Sequence, residues 1–574
     1  MKNSINLKQI AICLLLIAGL VSCKKDENPK FQVPSISFES ETGIYVVKVG
    51  KEITIEPVVE NDYDALYSWT NSDGKLLGRE KRLTYTWSES GQVHITFKVI
   101  TDYGSDDKEI RVDVAELVPP IISLAVPKDG YVILKTQELL LAPEINNGSE
   151  ATYKWCIDAE QVATTKDYIF KSDVAGSFRI SLSTTNEDGE DFIEFDVHVK
   201  ELSEMPFSWL FESEVYNVSK GRTMRLLPYA ITNAFDAEYT WTVDGTQMQK
   251  SKTPLYVFNA DTEGSYTVIV TMNNGYNMVN KQLTVKVAPS EGTYRRAVTS
   301  SSQADWNKVY EFLAAPGQFV NEDYTATTMV EAVAYAESRL KQSAYVSLGG
   351  FGGYIVLGFD HSIENDGGYN FQVMGNSFEG SSEPGVVWVM QDENGDGLPN
   401  DTWYELKGSE YGLPETIQDY EVTYYRPRSV GMAVSWTDNQ GKSGSIDYLA
   451  AYHRQDYYYP AWVSADSYTL RGTCLPNRTY EVSPGYWSNN HFECGYADNF
   501  SPIDRLTDDD NYNAGVNANH FKISNAVTFD GKPANLQYID FIKIQTGVNI
   551  KAGWLGENST EVFGARDFNL IKNK

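Results

Sequence analysis

The sequence predicts a mostly-β protein: three tandem β-sandwich modules, then a β-rich sandwich domain whose first two elements are helices. Three observations carry this. Tyr67-Ser-Trp69, Tyr153-Lys-Trp155 and Tyr239-Thr-Trp241 recur with the Trp residues 86 positions apart each time. Each is followed by a Gly that opens an alternating strand, at Gly91, Gly176 and Gly264, and then by a tight turn at Tyr103-Gly104, Asp188-Gly189 or Asn274-Gly275. From residue 303 the repeat stops, two apolar stripes at helical spacing follow, and short β-branched and aromatic runs broken by Gly, Asn and Asp then continue to the end. A fixed period with strand alternation means repeated sandwiches, with each Trp between the sheets as core. The boundaries are modules at 34–116, 117–202 and 203–288, a linker at 289–302 and a C-terminal domain at 303–574.

The chain has 574 residues and a net charge of −30, which excludes a nucleic-acid partner because that needs a basic face. At the N-terminus Lys2 and Lys8 form a positive segment before the apolar run from Ile10 to Leu20, which is too short to span a bilayer comfortably. Leu20-Val-Ser-Cys23 resembles a bacterial lipobox, and Lys24-Lys-Asp-Glu-Asn28 resembles the export signal of Bacteroidetes surface lipoproteins. The resemblance implies a signal peptide at 1–22, lipidation of Cys23, and a linker over 23–33. It also implies tethering at the outer membrane, facing outward, by the lipid alone. Cys156 reads as a small buried hydrophobe. Cys474 and Cys494 lie in one domain in an oxidising compartment, and the expectation is a disulfide between them.

In the C-terminal domain Trp306, Val309, Tyr310 and Leu313 fall on one helical face, with Pro316-Gly317 as a stop. Thr328 and Glu331 form a capping box for a second helix with the stripe Met329, Ala332, Val333, Ala336 and Leu340. The Gly-rich hairpin Gly349-Gly-Phe-Gly-Gly353 runs directly into a strand, with no helix N-terminus and no Lys-Ser/Thr, so a nucleotide site is not expected. In Asp392-Glu-Asn-Gly-Asp-Gly397, oxygen side chains alternate on a tight turn. Asp392, Asn394, Asp396, the Leu398 carbonyl and Asp401 are candidate calcium ligands, because a hard cation needs about six to eight oxygens. The closing Glu of an EF-hand is replaced by Trp403, so two readings stay open: a calcium loop or a plain Asp/Asn/Gly turn.

Two aromatic segments are candidate ligand-binding loops. One carries Tyr452, His453, Arg454, Tyr457, Tyr458 and Trp462; the other carries Trp487, Asn489, Asn490 and His491. Rings supply area at low entropy cost and amides supply direction, which suits a large, partly flat polar ligand. Asp508, Asp509 and Asp510 read as a solvated turn, and Tyr538 to Gln545 as a closing strand. There is no His-Glu-x-x-His pair and no Gly-x-Ser-x-Gly elbow, so a non-enzyme is expected.

The repeats resemble PKD-like or Ig-like modules of bacterial surface proteins, which implies spacers holding the last domain above a membrane. Trp306-Asn-Lys-Val-Tyr-Glu-Phe-Leu-Ala-Ala-Pro-Gly-Gln-Phe319, the Gly hairpin, Gly375-Asn-Ser-Phe378, Glu383-Pro-Gly385 and Asp401-Thr-Trp-Tyr-Glu-Leu-Lys-Gly-Ser-Glu410 occur together. Together they resemble the C-terminal domain of Bacteroidetes surface lipoproteins of the BtuH type, over residues 303–574. That resemblance implies a jelly-roll-like head that captures cobalamin for a TonB-dependent outer-membrane transporter. His453 and His491 are the candidate cobalt ligands, each more simply read as structural. Glycan binding by the same aromatic loops is the alternative.

Overall fold

All three modules repeat one strand order. In module 1 a five-stranded sheet runs Ile44–Lys48, Gly104–Ala115, Gly91–Thr101, Leu66–Asn71, Leu76–Gly78. Two ladders complete the sandwich, Ser35–Ser37 with Val58–Glu60 and Glu52–Ile55 with Leu83–Thr86. Module 2 repeats the order from Tyr131–Leu134 to Glu160–Ala163, and module 3 from Val215–Ser219 to Thr246–Ser251. The first strand of each five-stranded sheet pairs parallel and the others antiparallel. Trp69, Trp155 and Trp241 are fully buried and lie opposite Phe97, Leu182 and Val270. Each stands at a register shift against the sheet's last strand, so a bulge recurs with the Trp.

The computed structural model describes residues 32–506 and 516–572. The signal segment, Cys23 and the acidic run Asp508–Asp510 lie outside the described residues. Strands make up 47% and helices 5% of the described residues. Two compact units divide it, 1–118 and 119–574; the second holds modules 2 and 3 and the C-terminal head.

The head is a sandwich. A six-stranded sheet runs Lys308–Leu313, Tyr354–Glu364, Tyr538–Thr546, Gly385–Met390, Trp403–Leu406, Ala526–Val527. A three-stranded sheet of Asn517–Phe521, Phe371–Gly375 and Gly564–Asp567 shares one apolar core with it. A four-stranded sheet of Ser443–Ile446, Val434–Asp438, Ile417–Tyr425 and Ser467–Cys474 adds a second core around Phe351 and Tyr424. Tyr538–Thr546 is therefore an interior strand, three neighbours in from one edge.

The first expected helix is a strand. Lys308–Leu313 pairs with Tyr354–Glu364, with a register shift between Val309 and Glu311. The extra residue puts Val309 and Phe312 on one buried face, so a bulged strand reproduces the i, i+3 spacing of a helix. The second helix, α1, spans Met329–Lys341 and is the one α-helix among the described residues. Thr328 accepts the Glu331 amide at 3.2 Å, and Glu331 reaches back to the Thr327 amide at 2.8 Å. Ala332, Ala336 and Leu340 are buried, while Met329 is exposed.

Three further expectations are corrected. Cys474 and Cys494 are free thiols: Cys474 ends a strand paired to Ile417, and Cys494 lies in a turn whose carbonyl accepts the Ser409 amide. Modules 2 and 3 do not extend away from the head as spacers. Module 2 meets it through Ser123–Ser435 at 2.9 Å and Lys128–Asp466 at 2.9 Å, and module 3 through Arg225–Asp419 at 2.8 Å. The segment 289–302 is a fastened strap, with Glu291 paired to Arg222 and Arg296 to buried Asp540 at 2.8 Å. Trp155→Ala is expected to cost about 3–5 kcal/mol in urea unfolding followed by circular dichroism. A loss under about 1 kcal/mol would remove the Trp from its core role.

Candidate functional site

The two aromatic segments meet through a third that the sequence reading missed. The hairpin Thr479–Ser483 with Tyr486–Asn489 turns at Gly485, whose carbonyl accepts the Trp554 indole N–H at 2.7 Å. The Trp554 ring lies 5.7 Å from that of Tyr452. Trp487 packs against the loop that carries Trp554, where a Cβ on Gly553 would stand 2.4 Å from its Nε1. Tyr452, Trp554 and Tyr486 are 63%, 51% and 72% exposed, so they form a rim of rings open to solvent. A Trp bracketed by Gly553 and Gly556 is the signal that was available.

The other candidates divide by burial. Tyr458 and Trp462 are core: Tyr458 Oη donates to the His453 carbonyl, and Trp462 packs 5.7 Å from Phe312. Asn489 is buried and holds the hairpin, its Oδ1 accepting from Thr479 Oγ1 at 2.7 Å. Tyr457 is half-buried; Arg454, Asn490 and His491 are exposed. His453 is turned to Glu322 at 2.6 Å, edge-on to Phe319.

Behind the rim, the loop that carries Trp554 runs inward to a pocket of carboxyl groups. Glu557, Glu561 and Asp498 are buried and Glu383 is half-buried. One carboxylate oxygen from each of Glu383, Asp498 and Glu561 lies within 4.8 Å of the others. Burial, reinforced by the neighbouring carboxylates, pushes Asp498 up to about 8 and Glu557 up to about 8 and raises Glu561; burial also raises Glu383, against a hydrogen bond from Glu561 that lowers it. No local sequence pattern marks these residues as a site; Glu383-Pro-Gly385 stands out only within the resemblance of the C-terminal domain.

The Asp-rich turn is satisfied largely by its own amides. Asp392 accepts the Gly395 and Gly397 amides at 2.8 and 3.0 Å, and Asp396 accepts the Leu398 amide at 2.8 Å. Asn394 and Asn400 amides both donate to Asp396, at 2.9 and 2.8 Å. Asp401 accepts the Glu393 amide at 3.1 Å, and burial pushes its carboxyl up to about 9. The turn also clasps module 3: Asn217 donates to Asn400 at 3.0 Å and Ser219 to Glu393 at 2.7 Å.

A cavity of about 80 Å³ lies where module 3 meets the head, lined by Arg225, Trp388, Trp403, Tyr404, Glu405 and Asp419 among others. Burial pushes Glu405 up to about 7, and Thr473 donates to it at 2.6 Å. Trp388 Nε1 and Tyr404 Oη are buried there without a hydrogen-bond partner. In the Gly-rich hairpin a Cβ at Gly353 would stand 1.8 Å from the Leu348 carbonyl, and the Gly350 and Gly352 amides donate to Pro316 and Thr546. Those glycines serve close backbone packing.

Residues 33–101 and 119–186 match the family of PKD-like domains. Modules 1 and 2 carry that PKD-like pattern. The chain is also similar to the fibronectin(III)-like modules of Clostridium thermocellum CbhA, at 18% identity over 29% of this chain and 95% of that one, TM-score 0.18. Titin I67–I69 gives 12% identity over 45% and 98%, TM-score 0.21. The three N-terminal domains of bacteriophage RB49 Hoc give 14% over 44% and 98%, TM-score 0.22.

One histidine is an internal tie. His361 is fully buried, with Nδ1 2.6 Å from Asp360 and Nε2 2.8 Å from Asp567. Burial pulls its pKa down, but the hydrogen bonds to Asp567 and Asp360 outweigh it and raise the pKa above the ordinary histidine value. A raised folded-state pKa gives stability that is complete below the unfolded pKa of about 6.5 and fades as pH rises through the folded value. His361→Asn is expected to lower unfolding stability by roughly 3–5 kcal/mol at pH 6 and by less at pH 9. An equal loss at both pH values would mean the ring acts uncharged.

Proposed function

We propose that the chain is a non-catalytic cell-surface binding protein whose head captures a corrinoid, cobalamin, at the Tyr452–Trp554–Tyr486 rim and passes it to a TonB-dependent transporter. It would be held at the outer membrane through lipid on Cys23. The observation that carries this reading is the exposed ring platform, in which two aromatic segments distant in sequence converge on Trp554. A corrin is a broad disc with amide arms. It needs apolar area and scattered polar groups on an open surface, and the 80 Å³ cavity is far too small for it. His453 is committed to Glu322, so cobalt ligation by it is not part of the proposal. Titration of the full-length chain with cyanocobalamin is expected to give saturable heat without displacement of the cobalt ligand bands. Trp554→Ala with Tyr452→Ala should weaken binding at least about tenfold, since Trp and Tyr anchors dominate such interfaces. Absence of heat in the parent protein would sink the corrinoid reading.

Glycan binding is the second reading, favoured by the cavity itself. Trp388, Trp403 and Glu405, with the unpartnered Trp388 Nε1 and Tyr404 Oη, offer the stacking faces and hydrogen bonds that a single sugar ring uses. Binding on a glycan array that is lost in Trp403→Ala, with none to cobalamin, would select it.

A further inference from the structure

We propose that the head binds one divalent cation of the calcium class between Glu383, Asp498 and Glu561, with Glu557 and Asn558 beside it. This goes beyond the ligand reading and stands without it.

Three chain segments far apart in sequence deliver the oxygens. Glu383 precedes the strand Gly385–Met390, Asp498 follows the aromatic hairpin, and Glu561 opens the short strand Glu561–Val562. Oxygens bound to one calcium ion at 2.3–2.6 Å lie at most about 5 Å apart. The observed mutual limit of 4.8 Å meets that condition.

Asp498, Glu383 and Glu557 accept backbone amides, Glu383 and Glu561 hydrogen-bond to each other, and none is held by opposing charge. Asp498 accepts the amides of Asn376 and Glu561, both at 2.9 Å, and its own carbonyl accepts the Glu383 amide at 2.9 Å. A Cβ at Gly375 would stand 2.6 Å from Asp498 Oδ1, so the Gly375-Asn376 step is part of the cradle. Among the described residues, the ion pairs found include none to Glu383, Asp498, Glu557 or Glu561.

A second observation points to a ligand. Glu561 Oε1, Glu557 Oε2 and Asn558 Oδ1 are buried with no hydrogen-bond partner, on residues 4%, 3% and 1% exposed. Asn558 is fixed at this site by its Nδ2, which donates to the Ser382 carbonyl at 3.4 Å, next to Glu383. Buried acceptors left open are costly, and here all of them are oxygens. No His or Cys belongs to the set, which disfavours zinc and favours a hard cation. Bound there, the ion would fix the segment from Gly553 to Glu561 and with it the placement of Trp554.

The test uses the full-length chain stripped with EDTA and titrated with calcium chloride, read by calorimetry and by thermal unfolding. One site with a dissociation constant below about 1 mM and a rise in the unfolding temperature are expected. Glu561→Gln and Asp498→Asn should each weaken that site at least tenfold, while Asp396→Asn in the Asp-rich turn should leave it. If either variant fails to fold, terbium luminescence on the parent protein, displaced by calcium, reads the same site. The proposal is overturned by absence of calcium binding, which would mean the carboxyls share protons only. Binding that survives both Glu561→Gln and Asp498→Asn would also overturn it. Neither result depends on whether cobalamin binds.

Discussion

The head depends on a strand buried on both faces. Tyr538–Thr546 lies inside the six-stranded sheet, with Ile539, Ile542 and Ile544 in the main core and Phe541 beneath Met390 and Val356. A strand so placed can carry polar side chains only where each finds a partner. Asp540 takes Arg296, Ser362 and the Asp392 amide; Gln545 donates to the Gly352 and Arg471 carbonyls; Thr546 donates to Gly349. Lys543 rests over the rings of Trp388 and Trp403, each at 5.0 Å. One strand thereby sets the strap before the head, the start of the Asp-rich turn, the Gly-rich hairpin and the four-stranded sheet.

What the sequence makes legible follows from how local each determinant is. The Tyr-x-Trp repeat, its Gly and its turn lie within one module and specify it, so three copies of one strand order appear as expected. The cap of α1 is equally local. Lys308–Leu313 misled because a bulge and a helix place apolar residues three apart alike, and nothing within six residues distinguishes them. The expected Cys474–Cys494 pair rested on closeness in sequence, and sheet pairing and turn geometry send the two thiols to separate places.

The candidate site was half visible for the same reason. Tyr452 and Trp487 stand out in aromatic-rich loops, but Tyr458 and Trp462 have the same composition and serve the core. Only the pairing of strands decides which ring faces water. The carboxyl pocket was invisible because Glu383, Asp498 and Glu561 come from three segments, and their proximity is created by long-range register. Its one local trace is the Gly375-Asn376 step, which has meaning only once Asp498 is known to lie against it.

The domain boundary itself shifts once the partners of buried groups are counted. A cut at residue 303 follows composition, yet Asp540 is fully buried and its cation, Arg296, lies before that cut. Glu393, also buried, takes the amide of Ser219 in module 3, and Glu291 of the strap joins Arg222 of module 3 to Gln391 of the head. Removing one partner of a buried pair costs about 3–5 kcal/mol. A domain has only about 5–15 kcal/mol in total. A fragment beginning at residue 303 would lose several such partners together. The Asp-rich turn would lose its clasp and the cavity one of its walls. Binding measured on such a fragment would therefore report on a head missing the module that completes it, so the unit in which a ligand site is whole includes module 3 and the strap.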